Sequence, residues 1–177
     1  MRLFIAINFN SETKSRLIAL CNELRRDFGH GRFSLPENLH LTLTFLGECD
    51  VKQTAAVKSA MDVIVFESFD LMIDSIGFYR CDGGDLWWAG VQKHEMLLKL
   101  HQNLTTALQQ NGIECDKRKY SPHVTLGRKV VTKTQPREIE PFGETVAKIE
   151  LMKSERIDGK LTYTAIYVKG AESTHEN

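Results

Sequence analysis

Asn38-Leu39-His40-Leu41-Thr42-Leu43 and Ser121-Pro122-His123-Val124-Thr125-Leu126 repeat one pattern, His, apolar, Thr, apolar, 83 residues apart. The chain's own residue frequencies give about 0.08 such tetrads by chance, so two copies are not an accident of composition. Each copy alternates as a strand does. In the first, His40, Thr42 and Thr44 project from one face and Leu39, Leu41, Leu43 and Phe45 from the other. In the second, His123 and Thr125 lie opposite Val124 and Leu126. Each strand therefore offers a hydrophobic face to a core and an imidazole and a hydroxyl, roughly 7 Å apart, to the other side. A pseudo-twofold axis between the halves would set the two pairs face to face across a cleft. Gly127 stands where a counterpart of Thr44 would be, so Thr44 reads as structural.

Outward from the tetrads, strand and helix signals alternate. Leu3-Phe4-Ile5-Ala6-Ile7 is apolar on both parities, as in a central strand. Leu17, Cys21, Leu24 and Phe28 recur at helical spacing, with Gly29 as the stop. Asp50 and Gln53 form a capping box for a second helix. Leu97, Leu100, His101, Leu104 and Leu108 form a third, ended by Asn111-Gly112. Further strands are expected at 39–46, 69–79, 86–92, 122–128, 145–153 and 161–168, with a loop between Pro136 and Pro141 and a hairpin turn at Asp82-Gly-Gly-Asp85. No linker divides residues 1–170, which read as one α+β domain. Residues 171–177 read as a frayed polar tail.

Composition narrows the function classes. The 177 residues carry 23 basic and 23 acidic side chains, so no global field recruits a polyanion or an anionic membrane. Any nucleic-acid contact must be local. Residues 116–138 are the one strong asymmetry: seven basic side chains, Arg128 among them, stand against Asp116 and Glu138, a local net of +5 around the second tetrad. No apolar run is long enough for a membrane span and no leader signature opens the chain, which points to a soluble cytoplasmic protein. Cys21, Cys49, Cys81 and Cys115 contain no C-x-x-C pair and read as free thiols.

Two imidazoles suit phosphodiester chemistry near neutral pH. One, neutral, takes a proton from a nucleophile; the other, protonated, gives one to the leaving oxygen. Threonine hydroxyls can donate to the non-bridging oxygens where charge gathers. Such a site needs no metal or cofactor, and no carboxylate or Cys stands at ligand spacing beside either His. The residues alone leave the two roles interchangeable. Here the sequence resembles the 2H phosphoesterases, and within them the RNA 2′,3′-cyclic phosphodiesterases once assayed as 2′-5′ RNA ligases. The likeness rests on the two tetrads, Met1-Arg-Leu-Phe-Ile-Ala-Ile7, Leu43-Thr-Phe-Leu-Gly47, Tyr120-Ser-Pro-His123, Gly127-Arg128 and the hairpin from Leu151 to Tyr163.

The resemblance implies a bilobal fold, with antiparallel sheets around a central cleft and helices outside. It implies a substrate that is RNA or a nucleotide ending in a 2′,3′-cyclic phosphate, opened to a 2′-phosphate. It assigns His40 as proton donor, His123 as proton acceptor, and Thr42, Thr125 and Arg128 as phosphate-holding residues. A monomer is expected, with ATP-independent 2′-5′ ligation as the reverse reaction. Two other readings compete: a non-catalytic module that binds RNA ends, and a phosphodiesterase for another cyclic nucleotide such as ADP-ribose 1″,2″-cyclic phosphate. His101 belongs to a helix stripe, while His30, His94 and His175 read as solvated. Phe33, Trp87 and Trp88 read as core rather than as base-stacking groups. Arg156-Ile-Asp-Gly159 has the outline of a nucleotidyl-transfer motif but lacks its lysine.

Overall fold

The computed structural model describes residues 1–173. Nine strands, β1 (Arg2–Asn8), β2 (His30–Phe33), β3 (His40–Glu48), β4 (Phe69–Tyr79), β5 (Asp85–Val91), β6 (His123–Val131), β7 (Arg137–Val146), β8 (Lys148–Ile157) and β9 (Lys160–Gly170), form one open antiparallel sheet. Its order is β7-β4-β5-β6-β3-β1-β8-β9, with β2 on β6. Read outward from the centre, β6-β5-β4-β7 answers β3-β1-β8-β9. Within the sheet, among the described residues, the halves join through β3 and β6, at the pair Leu41 and Val124. The two lobes are thus halves of a single sheet, and the tetrad strands are its midline.

Three helices cover one face. α1 (Ser11–Arg25) lies on β2, β6 and β7, α3 (Glu95–Gln110) on β3 and β4, and α2 (Val51–Val63) against α3 and β9. Beneath them Ile5, Leu41, Leu43, Trp87, Val124 and Leu126 join the helix leucines in one core. β1 is central, between β3 and β8, which explains its continuous apolar run. The capping box forms as expected: Asp50 Oδ1 accepts from Gln53 N at 2.7 Å, and Asp50 N donates to Gln53 Oε1 at 2.9 Å. All four cysteines are free.

Several expectations are corrected. α1 stops at Arg25, because Asp27 and Phe28 take left-handed backbone angles, and Phe28, placed on the helix stripe by its spacing, is 98% exposed. The chain instead turns straight into β2, which puts His30 on a strand. The region between Pro136 and Pro141 is strand rather than loop. Pro141 fits because β7 is an edge strand and its register on β4 shifts at that point, where a missing N–H costs no ladder bond. The 145–153 segment divides into the end of β7 and the start of β8. Ala171 and Glu172 donate to the carbonyls of Ala147 (2.8 Å) and Phe66 (2.9 Å), so the tail is held there; residues 174–177, His175 included, lie outside the described residues.

Candidate active site

The sheet face away from the helices carries both tetrads. Continuing the Leu41–Val124 register by one residue places His40 opposite Thr125 and Thr42 opposite His123. The histidines are then diagonal neighbours, roughly 8 Å apart at the backbone.

Each strand is bulged one residue beyond its Thr. On β3, Ile5 and Ala6 pair with Thr44 and Thr42, leaving Leu43 extra. On β6, Trp87 and Trp88 pair with Gly127 and Thr125, leaving Leu126 extra. A bulge flips the alternation that follows. Thr44 therefore turns inward and is buried, while Phe45, expected on the core face, comes out on the cleft side with 65% of its surface exposed. By the same flip Gly127 faces the core over Phe33, and Arg128 joins His123 and Thr125 on the cleft face. Phe45 and Arg128 thus occupy equivalent positions in the two halves, and the cleft is apolar at one end and basic at the other.

Both imidazoles are pinned by a carbonyl two residues upstream. His40 Nδ1 lies 2.7 Å from Asn38 O, and His123 Nδ1 lies 2.8 Å from Ser121 O. A carbonyl can only accept, so each Nδ1 carries a hydrogen and each Nε2 is left to exchange protons. The halves differ in what Nε2 meets. His40 Nε2 is 2.9 Å from Thr42 Oγ1. His123 Nε2 and the Thr125 hydroxyl have no partner among the described residues. The His40 ring sits against Phe4 (4.9 Å between centroids) and the edge of Tyr163 (5.3 Å). Burial there pushes its pKa below the ordinary imidazole value, the Asn38 carbonyl opposes this, and the charges of Lys14 and His123 add to it. Burial raises the Tyr163 phenol, while Arg128 and Arg2 pull it down, which puts the Arg128 charge within reach of the His40 pocket.

The sequence does not announce the placement of three aromatic residues, Tyr120, Trp88 and Tyr79. Tyr120 Oη donates to Thr42 O at 2.9 Å, so the segment leading into His123 holds the opposite tetrad. Burial keeps this phenol well above its usual range, and the ring stacks on His101 at 3.9 Å and 2°. Trp88, read as core, lies on the cleft face opposite Thr125; its indole N–H is buried without a partner among the described residues. Tyr79 bridges from Trp88 to His123, with ring centroids 5.8 Å from each. Trp87 and Phe33 are core as expected. His94 caps α3 by accepting from Met96 N. Among the described residues no three His, Cys, Asp or Glu side chains gather around one point, and no helix is long and apolar enough to cross a membrane.

Comparison with known proteins bears on the family and the fold. The family model of the 2′-5′ RNA ligase superfamily matches residues 13–166. The chain is 35% identical over 132 residues to an RNA 2′,3′-cyclic phosphodiesterase of Thermotoga maritima, covering 72% of this chain and 70% of that protein. It is 29% identical over 129 residues to one of Archaeoglobus fulgidus, covering 72% of each. In fold it is similar to the crystal structure of E. coli LigT complexed with 3′-AMP, with a TM-score of 0.82, 24% identity, and coverage of 97% of this chain and 98% of that one.

Proposed function

The chain belongs to the 2′-5′ RNA ligase superfamily, and on that footing we propose that it is a hydrolase that opens RNA or nucleotide 2′,3′-cyclic phosphate ends with water to leave 2′-phosphomonoesters. The observation that carries the reading is the matched pair of bulged strands, each presenting a His with Nδ1 pinned to a carbonyl and a Thr beside it. Water gives a proton to His123 Nε2 as its oxygen attacks phosphorus. The bond from phosphorus to the 3′ oxygen breaks, and that oxygen takes the proton of His40 Nε2. Thr42, Thr125 and Arg128 hold the non-bridging oxygens, where donors aimed at developing charge lower the barrier.

His40 as donor agrees with its pocket in one respect and strains against it in another. Burial disfavours the imidazolium in the free protein, but the negative phosphate favours it when substrate binds. The Thr42 hydroxyl, which donates to Nε2 in the neutral state, accepts from it in the protonated one, so neither state leaves the nitrogen bare. With a 5′-hydroxyl in place of water as the nucleophile, the same two transfers join RNA ends through a 2′-5′ linkage without ATP. The reading also places the enzyme in the cytoplasm as a monomer with no metal requirement. The test is incubation with a nucleoside 2′,3′-cyclic phosphate in EDTA and identification of the product. A 2′-monoester formed at an undiminished rate is expected; binding without turnover, a 3′-monoester, or loss of activity in EDTA overturns the reading.

A further inference from the structure

At the basic end of the cleft the ladder sets Arg32 of β2 directly opposite Arg128 of β6. Their neighbours Phe33 and Gly127 pack toward the core, so both guanidinium groups project on the cleft side, and both are exposed. Like charges directly opposite each other on a sheet destabilise it, and among the described residues neither arginine has an acceptor. Other members of the same basic stretch do: Arg118 pairs with Asp116 and Arg137 with Glu23, each at 2.6 Å. Arg128 is also aimed by a bulge on either side, at Leu126 and at Lys129, whose φ is +52°. Bulges that re-aim a side chain concentrate beside functional sites.

We propose that Arg32 and Arg128 form a second phosphate subsite, which holds the phosphodiester on the 5′ side of the terminal nucleoside and makes an RNA chain, rather than a free mononucleotide, the preferred substrate. This rests on the cyclic phosphodiesterase reading above. The spacing supports it. Two residues after Arg32, Ser34 donates its hydroxyl to Thr125 O at 2.8 Å and its N–H to Leu126 O at 2.9 Å, which locks the β2 segment alongside the second tetrad. Arg32 is thus level with Arg128 and about two strand residues, or roughly 7 Å, along from the Ser34–Leu126 pair that adjoins Thr125. That is one repeat of a nucleic-acid backbone. Arg128 is the nearer of the two to the second tetrad on its own strand, and Arg32 lies one strand over, on β2, where a longer ligand reaches. The planar forks suit phosphate oxygens, and a bound anion removes the repulsion between them.

Three substrates test this: a nucleoside 2′,3′-cyclic phosphate, a dinucleotide with the same end, and that dinucleotide with an uncharged methylphosphonate linkage. Wild-type kcat/KM should be about tenfold higher for the charged dinucleotide than for the methylphosphonate, as for one exposed charge-assisted contact. Arg32→Ala should erase that preference and leave the mononucleotide rate unchanged, and Arg32→Lys should recover part of it. Equal rates for the two dinucleotides, or an equal loss on mononucleotide and dinucleotide, overturns the subsite. If wild type turns over none of the three, the underlying reading fails instead, and the subsite is judged by affinity for the dinucleotide 2′-phosphate. Arg32→Ala should weaken that binding about tenfold and lower its salt slope by about one; unchanged binding refutes it.

Discussion

Tyr120→Phe removes one oxygen and isolates the contact that ties the halves of the site together. The phenylalanine ring keeps its stack on His101, so packing is conserved, but Thr42 O loses the donor at 2.9 Å. The Tyr120 hydroxyl is itself buried, so the change removes donor and hydroxyl together, and the net cost should be that of one hydrogen bond, about 1 kcal/mol. In a chain of this size that lowers Tm by about 2–4 °C. Thr42 lies between His40 Nε2 and the cleft, so loosening its carbonyl also loosens the hydroxyl that orients the imidazole. If the same free energy is lost from the transition state, kcat falls about fivefold while KM changes little, because Tyr120 touches no substrate. Thermal unfolding and steady-state kinetics at a temperature well below Tm separate the two effects. A variant with unchanged Tm and kcat refutes the idea that this bond carries the coupling. A variant with lowered Tm but unchanged kcat confines Tyr120 to stability.

Other outcomes follow from the same geometry. The pH profile of kcat/KM should be bell-shaped, with the limb belonging to His40 below the ordinary imidazole range, since burial depresses it; in kcat, bound phosphate should move that limb upward. Because the folded value lies below the unfolded one, protonation favours the unfolded chain. His40 is therefore neutral to stability above about pH 6.5 and costs stability as pH falls through that value, a dependence that urea titrations of wild type and His40→Gln should separate. Gly77→Ala places a methyl 2.5 Å from Cη2 and Cζ2 of Trp88 and should cost roughly 1–3 kcal/mol, read as a lower Tm; an unchanged Tm contradicts the packing. Asp50→Ala removes the capping box of α2, remote from the cleft, and should cost about 1 kcal/mol with kcat/KM intact.

The chemistry was legible in the sequence where local pattern and tertiary role coincide. The tetrads alternate as strands do, α3 repeats its leucines and stops at Gly112, and Asp50 and Gln53 are a cap wherever they occur. What escaped depends on neighbours. Nothing in Leu43 or Leu126 marks either as the extra residue of a bulge, since the mismatch exists only against β1 and β5; Phe45 was therefore placed on the wrong face. The end of α1 is hidden in the sequence because Phe28 continues the helical period, yet the chain leaves the helix to reach the edge of β6. Pro141 breaks most strands but not an edge strand at a register shift. The Tyr120 contact spans 78 residues, and the Arg32–Arg128 pairing follows from a ladder that a four-residue strand barely announces.

The account turns on two imidazoles from equivalent strands acting as one acid and one base. The most direct measurement is kcat/KM of His40→Ala and His123→Ala on a 2′,3′-cyclic phosphate, with folding checked by thermal unfolding. Each variant should remain folded and lose about 10²-fold or more. A folded variant of either that keeps wild-type activity contradicts the account.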